Sequence, residues 1–126
     1  MTAPLLDLLI TRHGCAFVDK AGLADLLAGG GETVLFFTGD PQKCPETNDL
    51  EVVFPELHEA FAKRFRLAMV DRRDEAELMA ELGVLVTPTL AFFRGGELLG
   101  LLPRLRDWAV YMDEIPAILG ISERAA

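Results

Sequence analysis

Val34-Leu35-Phe36-Phe37 is an unbroken apolar run, rich in aromatic and branched side chains, with no polar face. A strand apolar on both sides must be covered on both sides, so it predicts the centre of a sheet with helices packed against each face. The expected class is therefore α/β. At 126 residues, one domain spanning 1–126 suffices, and a chain of this size buries about two-thirds of its unfolded surface around a single core.

The rest of the chain alternates strand and helix signals. Leu5, Leu6, Leu8, Leu9 and Ile10 cluster before Gly14 and suit a short N-terminal helix. This segment lacks a basic start and a small-residue cleavage site, so it reads as helix and not as a signal peptide. Cys15–Val18 is a short strand. Leu23, Leu26 and Leu27 give a helix over 21–28, stopped by Gly29-Gly30-Gly31 with a left-handed cap. After an elongated loop over 40–49, Phe54, Leu57, Phe61 and Phe65 recur at helical spacing and make one apolar helix face.

A strand over 66–71 follows. Asp74 then caps a helix with Glu77 as its reciprocal partner, Leu78 and Leu82 face inward, and Gly83 ends it. Leu90–Phe93 and Leu98–Leu102 flank Gly95-Gly96 as an antiparallel hairpin. A last helix starts near Asp107 and buries Trp108, Tyr111, Met112 and Ile115, with Pro116 limiting or kinking its end.

Composition removes several function classes. With 20 acidic and 12 basic residues the formal net charge is -8, which disfavours nucleic acid, whose phosphates need a basic face. No apolar run approaches the roughly 20 residues that span a bilayer, so no membrane insertion is expected. Two cysteines do not make a disulfide framework, and a cytoplasmic location is the default; a Cys15–Cys44 bridge stays open. Ser122 is the only serine and lies near the end, which removes a serine nucleophile. His13 and His58 lack the company that metal ligation needs, and no cofactor is implied. Gly29-Gly30-Gly31 lacks the GK[ST] ending of a phosphate loop and follows a helix instead of preceding one.

The order of elements, with Gly83-Val84-Leu85-Val86-Thr87-Pro88-Thr89 ahead of Leu90-Ala91-Phe92-Phe93-Arg94-Gly95-Gly96-Glu97, resembles the thioredoxin fold. The resemblance covers about residues 15–119, leaving 120–126 as a tail. It implies a mixed central sheet flanked by helices, an extra N-terminal helix, and a proline, Pro88, that is cis in thioredoxins and stands beside the active site. Thioredoxins carry WCGPC after the central strand. Here Asp40 stands where the tryptophan would be, Pro41 at the attacking cysteine and Cys44 at its partner, while Leu35 replaces a buried acid. Dithiol exchange needs an attacking thiolate and a second thiol to resolve the mixed disulfide, so a thioredoxin enzyme is not expected. Cys44 acting alone, as a monothiol redox site, is the enzymatic alternative. Cys15 reads as a small core residue.

Asp40, Glu46, Asp49 and Glu51 crowd the loop, and Asp71, Asp74, Glu75, Glu77 and Glu81 follow the third strand. They form either a solvated face or a receptor for a basic peptide, since carboxylates beside an apolar groove pair well with arginines. The run from Thr38 to Asp49, Phe54-Pro55-Glu56-Leu57 and the N-terminal helix are similar to the hydrogenase expression/formation proteins of the HupG/HyaE type. Those are thioredoxin-fold proteins without CxxC, from bacteria that make uptake NiFe hydrogenases.

The resemblance implies a non-enzymatic cytoplasmic chaperone. Its partner would be the hydrogenase small-subunit precursor, held by its twin-arginine signal peptide until cofactor assembly is complete. The implied peptide-binding residues are Asp40, Pro41, Cys44, Glu46, Asp49, Thr87 and Pro88. An assembly module that contacts other hydrogenase maturation proteins is a further alternative.

Overall fold

A computed structural model describes residues 9–10, 13–40 and 42–120. In chain order its elements are β1 (Ala16–Val18), α1 (Lys20–Ala28), β2 (Glu32–Phe37), α2 (Pro45–Ala60), β3 (Arg66–Val70), α3 (Arg72–Leu82), β4 (Thr89–Arg94), β5 (Glu97–Pro103) and α4 (Trp108–Leu119). The sheet order is β1-β3-β2-β4-β5, which puts the apolar strand in the middle. It runs parallel to β3 and antiparallel to β4, with Leu35 opposite Ala68 on one side and Ala91 on the other.

The two-sided burial follows from the strand's period of two. Val34 and Phe36 enter one core with Leu50, Phe54 and Leu57 of α2 and Tyr111, Ile115 and Leu119 of α4. Leu35 and Phe37 enter the other with Leu23 of α1 and Leu78 of α3. Phe36 meets Phe54 edge-on, with ring centroids 5.2 Å apart, the arrangement favoured by the aromatic quadrupole. The mixed α/β architecture is the one expected. Of the proposed N-terminal helix, Leu9 and Ile10 are helical and Leu9 is buried; the remainder, and the tail after Gly120, lie outside the described residues.

Several local readings are corrected. The elongated loop over 40–49 is shorter: α2 begins at Pro45 with Cys44 as its N-cap, because proline suits a first turn that has no intrahelical N–H bond to lose. Phe61 is the C-cap, and positive φ at Ala62 and Lys63 turns the chain, so Phe65 reaches the core from beyond the helix. Helix α3 is capped by Asp71, whose carboxylate accepts from the Arg73 N–H at 3.0 Å. Asp74 lies inside the first turn and accepts instead from the Lys20 N–H of α1 at 2.8 Å.

Glycine also behaves differently along its run: Gly29 caps α1 in a right-handed conformation, and the positive φ values fall at Gly30 and Gly31. Helix α4 continues past Pro116 to Leu119, held by burial of Ile115, Pro116 and Leu119. Trp108, expected in the core, is 45% exposed; as the first residue of α4 it has no preceding turn to pack under.

Candidate functional site

The loop after β2 is held from three directions. From α2, the Thr47 hydroxyl donates to the Thr38 carbonyl at 2.6 Å. From α3, the buried Glu75 carboxylate accepts the Gly39 N–H at 3.1 Å. From the segment before β4, Thr87 places its hydroxyl 3.4 Å from the Cys44 sulfur. Within the loop, the Asp40 carbonyl accepts from Lys43 and Cys44, and its carboxylate accepts from the Gln42 N–H. The Thr87–Pro88 bond is cis.

These elements enclose a groove of about 600 Å³. Gly39, Asp40, Lys43, Cys44, Pro45 and Glu46 line one side, Arg72, Glu75 and Met79 of α3 another, and Leu85, Val86, Thr87 and Arg104 complete it. Leu85 is 90% exposed at its edge. Four of the residues anticipated from sequence therefore meet here: Asp40, Cys44, Glu46 and Thr87. Pro88 is buried behind the lining, Asp49 projects from α2 outside it, and Pro41 lies outside the described residues.

Its charge is more balanced than the sequence implied. The Arg104 Nε donates to Glu46 at 2.6 Å, and Arg72 pairs with Glu75 at 3.3 Å. Among the groove's carboxylates, Asp40 alone has no ion pair among the described residues. Burial pushes the Glu75 carboxyl above its usual range, opposed by the Gly39 N–H and by Arg72. Glu75 thus anchors the loop instead of belonging to a solvated run. Its neighbours are paired as well: Asp71 with Arg73, and the exposed Glu77 and Glu81 with Lys20. Residue numbers along α3 revealed the carboxylates but not these partners, which come from other elements or are too close in sequence to signal pairing.

Both cysteines are free. Cys15 is buried in the core, and desolvation pushes its thiol up to about 12, which disfavours the thiolate that disulfide exchange needs. Cys44 itself stands at the start of a 16-residue helix, contrary to the expectation that a longer loop would separate it from one.

A second concavity, about 680 Å³, opens on α2 beside α4. Its lining includes Leu9, His13, Glu51, Val52, Pro55, Glu56, Glu59 and Trp108. Glu51 is 3% exposed, and neither carboxylate oxygen has a hydrogen-bond partner among the described residues. Desolvation raises its carboxyl to about 7. Between the ordinary carboxylate range and this value the folded chain keeps a proton that the unfolded chain has lost, so stability falls as pH rises through that window. Glu51→Gln is expected to stabilise the fold by about 2 kcal/mol at pH 8, allowing for partial solvent screening, and by less than about 1 kcal/mol at pH 5. Urea unfolding at the two pH values measures this difference; equal gains at both would refute it.

The fold and the groove can be compared with known proteins. A solved thioredoxin from Halobacterium salinarum aligns with a TM-score of 0.68 at 24% identity, covering 88% of this chain and 93% of that one; it is alike in fold. A solved hydrogenase expression/formation protein HupG from Rhodopseudomonas palustris aligns at 40% identity with a TM-score of 0.59, covering 87% and 99%. Among sequences, HupG of Bradyrhizobium diazoefficiens is 43% identical over 114 residues, 87% of this chain and 77% of its own. HoxO of Cupriavidus necator, also a hydrogenase expression/formation protein, is 38% identical over 120 residues, 94% of this chain and 74% of its own. The family model for hydrogenase-1 expression protein HyaE matches residues 5–111. The chain shares its thioredoxin-like fold with the solved structures, and it belongs to the HyaE family of hydrogenase expression/formation proteins.

Proposed function

We propose that this protein is a non-catalytic chaperone of hydrogenase maturation that holds the twin-arginine signal peptide of the small-subunit precursor in the Cys44–Thr87 groove before export. The observation that carries this reading is the groove itself, open and edged by exposed Leu85 and Val86, with a single thiol in it. An extended peptide gains apolar contact there, and Asp40 offers a carboxylate that has no ion pair among the described residues. Asp49 extends the acidic surface along α2, while Glu46 would have to exchange Arg104 for a peptide arginine.

Titration with a twin-arginine signal peptide and with its Lys-Lys version tests this. Micromolar binding is expected for the first and at least tenfold weaker binding for the second, since lysine cannot pair bidentately; no binding of either peptide sinks the hypothesis. Cytoplasmic residence follows from holding the precursor before export, and belongs to the same proposal.

Cys44 at a helix N-terminus favours one second reading, a monothiol redox protein, because the helix dipole stabilises a thiolate there. Glutathione-dependent reduction should be equal in the native protein and Cys44→Ala; loss of activity in the variant would establish the redox role instead. An assembly module is separated by pull-down from cells lacking the small-subunit precursor: capture of other maturation proteins there would favour it.

A further inference from the structure

The cleft on α2 is built differently from the groove. Its polar lining is three carboxylates, Glu51, Glu56 and Glu59, and one imidazole, His13. Exposed Val52 and Trp108 supply apolar walls. Glu59 has a nearby cation in Lys63, 3.4 Å away and largely exposed, but Glu51 has no partner for either oxygen among the described residues. An ionisable group buried in this way costs stability until a donor reaches it.

We propose that this cleft is a second recognition site, which accepts the guanidinium of an arginine flanked by apolar residues, with Glu51 as its carboxylate and Trp108 as its aromatic wall. A guanidinium matches the cleft better than an ammonium does. Its fork can occupy both oxygens of one carboxylate, and its plane can lie on an indole face. The Glu51 oxygens are covered in the free protein, so the proposed pairing requires the side chain to turn into the cleft. Neutral or acidic segments gain neither term, and Glu56 and Glu59 repel acidic ones. The proposal does not depend on the signal-peptide reading, since any chain presenting an arginine among apolar residues meets its requirements.

Trp108 is the only tryptophan and lines the cleft, so its emission reports occupancy there. The probes are a soluble peptide with one arginine between leucines and the same peptide with lysine or citrulline in its place. Saturable change in Trp108 emission is expected with the arginine peptide, several-fold weaker binding with lysine, and at least tenfold weaker binding with citrulline, which keeps the shape without the charge. Glu51→Gln should weaken the arginine peptide at least tenfold, whereas Asp40→Asn in the other groove should leave it unchanged. Amide shift mapping on the native protein gives a second reading that needs no variant: shifts should centre on Val52, Glu56 and Glu59. An unchanged emission, equal binding of the citrulline peptide, or shifts centred on Cys44 and Thr87 would each overturn the proposal. Failure of the twin-arginine titration alone would overturn the chaperone reading and leave this one standing.

Discussion

Gly39→Ala is expected to destabilise the protein by about 2–5 kcal/mol and to distort the groove. Two independent effects combine. Gly39 has φ +65, a left-handed conformation that costs an L-residue with a Cβ about 1–2 kcal/mol. The added Cβ would also overlap the Thr87 hydroxyl, lie 2.8 Å from the Thr87 Cβ and press on the Cys44 sulfur at 3.3 Å. Thr87 is branched and adjoins the buried Pro88, so it has little room to yield. Gly83→Ala supplies the control, because Gly83 has φ +77 but nothing within 4 Å of an added Cβ. It should show the conformational cost alone, about 1–2 kcal/mol. Adding Thr87→Gly to Gly39→Ala should recover the crowding part. Denaturant midpoints measure all three; a Gly39→Ala variant as mild as Gly83→Ala would mean that the close approach to Thr87 is not rigid.

Phe54→Ala is expected to cost about 3–5 kcal/mol, out of a typical domain stability of about 5–15 kcal/mol. Phe54 is fully buried against Phe36 of the central strand, and truncation leaves a cavity where α2 meets the sheet. For a domain of this size the loss corresponds to a fall in Tm of about 10–20 °C. On the same helix, Val52 is 54% exposed, and Val52→Ala should stay within about 0.5 kcal/mol. Thermal unfolding of the pair discriminates them, and a Phe54→Ala variant melting within a few degrees of the parent would contradict the packing of α2. The consequence is also functional. Helix α2 carries Cys44, Pro45 and Glu46 to the groove at its start and Glu51, Pro55 and Glu56 to the cleft along its length. Loosening its apolar face therefore disturbs both sites from one position.

The elements most legible in the sequence were those whose signal is local. The central strand declared itself by continuous apolarity, the hairpin by Gly95-Gly96, and the end of α3 by Gly83, which the structure shows to be left-handed. The acidic stretch from Glu46 to Asp49 reads equally as a loop and as a favourable first turn, so residue type alone does not place the helix start at Cys44. Asp71 and Asp74 both precede the same apolar pattern, and only the chain direction leaving β3 makes Asp71 the cap. Trp108 has the spacing of a core residue, yet spacing places it on a face and says nothing of where that face runs out of partners.

By itself the sequence determined the layered α/β fold, the loss of the dithiol pair at Pro41 and Cys44, and the family, because each rests on residue order and type. The tertiary structure decided which charges are available. Arg104 comes from beyond β5 to pair with Glu46, Arg72 and Gly39 occupy Glu75, and Lys20 of α1 takes Glu77 and Glu81. Glu51, written among other acids as if exposed, is turned beneath the surface without a partner among the described residues. Net charge is a sum over the chain, whereas recognition depends on which carboxylates remain unneutralised at one place, and that depends on contacts between residues distant in sequence.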